Sequence, residues 1–226
     1  MTLSAKDMVR SENMNNEKSS EIQDLLNTHT TGAKNESSTT RLPGISEVLP
    51  SLYLCGAGVA IPCFLEKLSI KCVINIAPEL PDTPLPDDKP LYYQIPVLDK
   101  GEVDLKCYFD EVADLIEEVR QSDGKSLVHC VAGVSRSASL CIAYLIKHCD
   151  MTLREAFFHV REVRPQIRPN IGFFRQLIAY EESIRGTATV SMVFKESLGQ
   201  EIPDVYEFEY QAMEQFYQKH RNVKRR

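Results

Sequence analysis

The residues with the strongest chemical character lie in one run, Leu127-Val128-His129-Cys130-Val131-Ala132-Gly133-Val134-Ser135-Arg136-Ser137-Ala138. A cysteine closes a short apolar stretch, and an arginine follows after five uncharged residues. A tight turn at a helix N-terminus points main-chain N–H groups into one concavity, and with the helix dipole they favour an anion. The planar fork of Arg136 can hold two phosphate oxygens at once, which the point charge of a lysine cannot. The same positive field is expected to bring the Cys130 thiol from about 8.5 into the ~3.5–7.5 range, leaving a thiolate nucleophile at neutral pH. Gly133 permits backbone angles that an anion nest requires and a side chain would hinder. A nucleophile at the floor of an anion site is the equipment of a phosphatase.

Phosphoester hydrolysis also needs a proton for the leaving oxygen. The polar loop Leu98-Asp99-Lys100-Gly101-Glu102-Val103-Asp104 offers two aspartates in front of a helical pattern. Asp104 is better placed as that helix's N-cap. Asp99, in the part of the loop that directly ends the preceding strand, is preferred to it as the acid, and the same carboxylate can later act as base toward water.

His129-Cys130, five residues, then Arg136-Ser137 resembles the H-C-x-x-G-x-x-R-S/T signature of the cysteine-dependent protein tyrosine phosphatase superfamily. The wording from Val131 to Ala138 is most similar to the small, atypical dual-specificity phosphatases, and Arg164-Pro165, Arg168-Pro169-Asn170, Gly172-Phe173 and Gln176-Leu177 resemble the end of that domain. The resemblance implies a thiophosphoryl intermediate on Cys130 and phosphate held by Arg136 with the loop of Val131, Ala132, Gly133, Val134 and Ser135. It also places an acid at about the separation of Asp99. Ser137 would hydrogen-bond the thiolate and help it leave in the second step, and His129 would orient the loop. Phosphorylated proteins are the implied substrates, at tyrosine and at serine or threonine, with no cofactor and no metal. Two alternatives remain. Relatives acting on phosphoinositides often carry lysine in the loop, whereas Val131, Ala132, Val134 and Ser135 add no positive charge. A catalytically silent phosphoprotein-binding scaffold would be expected to lose the Cys, the Arg or the Asp, and all three are present.

The elements that must position this site read as an α/β fold: one domain with a central, mostly parallel sheet flanked by helices, and the phosphate-binding loop between a strand and a buried helix. Ile45–Leu49 and residues 51–55 read as strands on either side of Pro50, with Gly56-Ala57-Gly58 as a turn. Residues 59–68 carry the apolar spacing of an amphipathic helix, and 71–77 read as a buried parallel strand. Five prolines and four acids make 78–90 a surface loop, its Asp82, Asp87 and Asp88 solvated rather than metal-binding. Residues 91–97 form a further strand whose Pro96 suits an edge or a turn. A long helix follows Asp104, with Leu105, Tyr108, Phe109, Val112, Leu115, Ile116 and Val119 inward and Gly124 at its C-terminal stop. This strand-helix-strand crossover is expected to bring the Asp99 and Cys130 loops to the same end of the sheet. A Thr152–Glu155 capping box opens a helix with Ala156, Phe157, Val160 and Val163 inward. Asn170 caps a last core helix containing Phe173, Phe174, Leu177, Ile178 and Ile184, which Gly186 stops.

The expected organisation is a disordered tail at 1–41, a catalytic domain at 42–186 and a C-terminal extension at 187–226. Residues 187–194 of the extension read as a strand, and from Ile202 a helical pattern has Met213, Phe216 and Tyr217 on one side. The extension could pack on the domain or mediate self-association. In the tail, a short helix at 21–26 would need a partner surface, and acidic residues with little arginine speak against a mitochondrial presequence. A net charge of −6 over 226 residues argues against nucleic acid as a partner. Seven cysteines without a C-x-x-C pair suggest a reducing compartment rather than disulfides or zinc. No stretch approaches the roughly 18 consecutive apolar residues of a membrane span. The expected location is cytoplasmic, with Arg221-Asn222-Val223-Lys224-Arg225-Arg226 either a solvated basic tail or a nuclear signal.

Overall fold

Alternating and continuous apolar segments assemble into a five-stranded sheet in the order β1-β2-β5-β3-β4, in a computed structural model that describes residues 42–220. The tail at 1–41, its 21–26 segment, the basic end at 221–226 and the side chain of Tyr217 lie outside the described residues. β1 (Ile45–Leu49) pairs antiparallel with β2 (Leu52–Gly56) around Pro50. The remaining pairs, β2 with β5 (Ser126–Cys130), β5 with β3 (Cys72–Asn75) and β3 with β4 (Leu91–Gln94), are all parallel. The carboxyl ends of β3, β4 and β5 therefore open on one edge, where ligand sites of parallel sheets form.

Side chains alternate between the faces of each strand. Tyr53, Cys55, Val73 and Leu127 pack with Leu65 and Leu68 of α1 (Pro62–Leu68). The opposite face is covered by α3 (Arg136–His148), whose residues 136 to 146 are all buried. Around α3 lie α2 (Phe109–Gln121), α4 (Leu153–Val163) and α5 (Ile171–Arg185). α3 enters the core directly after the loop 131–135, which explains why its sequence is apolar on nearly every side.

Local chemistry moved several boundaries. α1 starts at Pro62, because Ala57–Val59 form a 3-10 turn and proline suits the first helical position. The Asp104 carboxylate accepts from the Cys107 N–H at 3.3 Å, so it caps the 3-10 turn Lys106–Tyr108 that precedes α2. The left-handed residue after α2 is Asp123, with φ 56°, rather than Gly124. Gly124 is required by proximity instead: a Cβ there would lie 2.8 Å from Val119 Cγ1. Val163, expected inward, and Ile184 of the last core helix are 38% and 42% exposed because each is near the end of its helix, past the last residues that face the core. The capping box at Thr152 and the Asn170 cap, whose Oδ1 accepts from the Phe173 N–H at 2.9 Å, are both present.

Beyond Gly186 the chain forms a hairpin, β6 (Met192–Lys195) with β7 (Gln200–Pro203), then a 3-10 turn and α6 (Glu207–His220). Ile202 and Pro203 thus close a strand where a helical pattern was expected to begin. Tyr206 anchors this segment: its buried ring lies 5.6 Å from Phe157 and 5.2 Å from Phe174, and its hydroxyl donates to Pro169 O at 2.8 Å. Met213 and Phe216 on α6 are exposed. No helix among the described residues is long and apolar enough to cross a membrane.

Candidate active site

β5 ends at Cys130 and α3 begins at Arg136, so the intervening residues must reverse direction around the helix N-terminus. Gly133 makes the turn with φ +66°; a Cβ there would collide with the Cys55 carbonyl at 2.3 Å. Cys130 is 2% exposed at the floor of the loop. Burial pushes its thiol up, but the Ser137 hydroxyl, 3.2 Å from Sγ, and the N–H groups of Ser137, Val134 and Gly133 outweigh it. The thiol is held below its ordinary range.

Arg136 is almost fully buried, and its two terminal nitrogens are occupied. Nη1 donates to Glu79 Oε2 at 2.9 Å and to Val97 O at 3.1 Å, while Nη2 donates to Glu79 Oε1 at 2.6 Å. Its Nε, 3.8 Å from Asp99 Oδ2, makes no hydrogen bond. The guanidinium is thereby fixed in one plane with its Nε edge toward Asp99.

Asp99 lies in the loop after β4, with its side chain about one-third exposed (35%). Its Oδ1 accepts from Ser135 Oγ at 2.8 Å and from Asn170 Nδ2 at 2.7 Å. Asn170 N–H in turn donates to Ser135 Oγ at 3.0 Å. Asp99 and the Cys130 loop are therefore joined through Ser135, whereas Asp104 stays with Cys107 outside this network.

His129 is buried, with Nε2 2.7 Å from Thr83 Oγ1. Burial lowers its pKa to about 4, against a weaker opposing contact from the Cys130 main chain, so it is neutral at neutral pH. Val131 and Ala132 are exposed at the rim, and Val134 is half-buried. Among the described residues no group of three or more His, Cys, Asp or Glu could hold a metal ion.

Glu79 and Thr83 correct the reading of 78–90 as a surface loop. The segment is irregular, but Thr83, Pro86 and Pro90 are buried and the loop reaches both Arg136 and His129. The available signal was position: an acid just past the buried strand 71–77 lies at the same sheet end as Cys130. The cap at Asn170 is legible in the sequence, and its second bond, to Asp99, is not.

Residues 52–183 match the family model of the dual specificity phosphatase catalytic domain. The chain is 46% identical to mouse (Mus musculus) dual specificity protein phosphatase 14 over 167 residues, covering 74% of this chain and 82% of that protein. Against human (Homo sapiens) dual specificity protein phosphatase 18 the identity is 42% over 171 residues, covering 75% and 89%. The crystal structure of human DUSP28 superposes with a TM-score of 0.60 at 31% identity, covering 66% of this chain and 99% of that one. The matched residues run from β2 to the last core helix and include both the Asp99 loop and the Cys130 loop. The chain belongs to the small, atypical dual specificity protein phosphatases, cysteine-dependent hydrolases of the protein tyrosine phosphatase superfamily.

Proposed function

We propose that Cys130, Arg136, Asp99 and Ser137 carry out the two chemical steps of this phosphatase on phosphoproteins. The observation that supports this most directly is the Asp99 carboxylate joined to the phosphate loop through Ser135 and facing the Arg136 Nε. In the first step the Cys130 thiolate attacks phosphorus and forms an S–P bond. The P–O bond to the substrate breaks, and Asp99 gives its proton to the departing oxygen. Arg136 and the loop N–H groups hold the three non-bridging oxygens as their charge redistributes. In the second step Asp99 takes a proton from water, the water oxygen attacks phosphorus, and the S–P bond breaks to release phosphate. Ser137 donates to the returning thiolate. His129 keeps the loop in place through Thr83 and moves no proton.

The test compares wild type, Cys130→Ser and Asp99→Asn on an aryl phosphate and on doubly phosphorylated peptides. Loss of turnover in Cys130→Ser is expected, and undiminished turnover there would overturn the mechanism. If Asp104→Asn lost the rate while Asp99→Asn kept it, the acid would be reassigned. Preference for a three-phosphate lipid headgroup over peptides would favour a lipid phosphatase.

Two finer points belong to the same reading. A cytoplasmic location is supported by cysteines that are all free. Self-association through the extension is supported by Phe194, Phe208 and Met213, exposed at 61%, 50% and 41%. Sedimentation that stays monomeric at high concentration would exclude it.

A further inference from the structure

Arg164, the residue that ends α4, is 5% exposed and lies against the carbonyl oxygens of the loop that follows Cys130. Its Nε donates to Gly133 O at 2.6 Å and its Nη2 to Ala132 O at 3.0 Å. Nη1 reaches Gly44 O at 3.1 Å and Ser46 Oγ at 3.4 Å. Every acceptor is neutral, and among the described residues no carboxylate lies within ion-pair distance. A buried guanidinium with hydrogen bonds but no counter-ion is costly unless an anion is nearby.

The two carbonyls belong to particular peptide units. Ala132 C=O shares its peptide with the Gly133 N–H, and Gly133 C=O shares its peptide with the Val134 N–H. Those two N–H groups are among the donors that stabilise the Cys130 anion. Arg164 therefore grips the oxygen ends of two amides whose hydrogen ends face the sulfur. Hydrogen bonding at one end of an amide polarises the other, so each contact strengthens its opposite.

We propose that Arg164 is a positioning residue of the phosphatase reaction: it fixes and polarises the two peptide units that cradle Cys130, and the sulfur anion is the counter-charge of its buried guanidinium. This role presupposes Cys130 as the nucleophile. The other titratable groups around the sulfur cannot substitute for it. Burial pushes Cys55 on β2 up to about 12 and Cys141 on α3 upward, so both stay protonated. His129 is neutral, and Arg136 is already paired with Glu79 and faces Asp99. Gly133 fits the same arrangement, since a Cβ there would lie 2.7 Å from Arg164 Nη2.

The experiment is the pH dependence of Cys130 alkylation by iodoacetamide in the full chain, with Cys130→Ser to subtract the exposed Cys63 and Cys107. Arg164→Met is expected to raise the midpoint by about one pH unit or more, which is about tenfold less thiolate below it. Turnover of an aryl phosphate should fall in parallel, in kcat more than in KM. Arg164→Lys keeps the charge but replaces a fork by a point donor, so a smaller rise, about threefold in thiolate, is expected. Should the Met variant fail to fold, the Lys variant decides. A profile that coincides with wild type in either folded variant, whatever the change in Tm, overturns the role. Failure of the nucleophile itself is read separately, as full turnover in Cys130→Ser.

Discussion

At Cys130 two opposing effects meet: burial favours the neutral thiol, and a ring of donors favours the anion. Two of the peptide units that carry those donors are gripped at their oxygen ends by Arg164, and the arginine that faces the same loop is fixed in turn. Arg136 is held by Glu79, whose carboxyl is kept below its usual range first by the hydrogen bonds from that arginine. Glu79→Gln weakens both contacts and frees the guanidinium to rotate, so kcat/KM on an aryl phosphate is expected to fall about tenfold, as misplacement of a catalytic group does. Thermal stability should change little, because the carboxylate is 36% exposed. Asp99→Asn removes the proposed acid, and a loss of about 10²–10⁴ in kcat is expected. The loss should be larger on phosphothreonine peptides than on aryl phosphates, since an alkoxide is the poorer leaving group. Equal losses on both substrates would argue that Asp99 acts elsewhere than on the leaving oxygen.

Among the elements, α5 does two jobs with one side chain. Asn170 Oδ1 caps its N-terminus, and Nδ2 steadies Asp99. Asn170→Ala should lower stability by about 1 kcal/mol in chemical denaturation and lower kcat as well. Asn170→Ser should restore the cap without the donor, so stability returns and kcat does not. A cap is legible in sequence because it is a local pattern; its second bond crosses from one element to another and leaves no local trace. The same distinction separates what could be read from what could not. The order strand, loop, buried helix follows from residues 127 to 146, and the preference for Asp99 rests on crossover geometry together with the acid separation that the family resemblance implies. Glu79 is not legible as the partner of Arg136, because nothing local tells that β3 is the neighbour of β5, with β4 one place further out. β7 is not legible in the sequence, because four residues ending in proline carry no usable periodicity and only pairing with β6 makes them a strand.

For the whole molecule, the described core does not stop at the last helix of the phosphatase pattern. Tyr206 completes an aromatic cluster with Phe157 and Phe174, and Tyr206→Ala is expected to cost about 3–5 kcal/mol, read from denaturation midpoints. Acid should act through His129. Its folded-state value, about 4 against an ordinary 6.5, means that the unfolded chain takes up the proton first. Its contribution is therefore complete above about pH 6.5 and is lost as pH falls toward 4, on the order of 3 kcal/mol. His129→Asn should flatten that part of the stability profile. The position of Arg164 bears on synthesis as well. A growing chain presents Cys130 to the cell well before residue 164 has itself left the ribosome, and until then the sulfur lacks the clasp behind its loop. During translation it is an ordinary thiol, poorly reactive toward peroxide, and its sensitivity to oxidants arrives only with the segment that completes the fold.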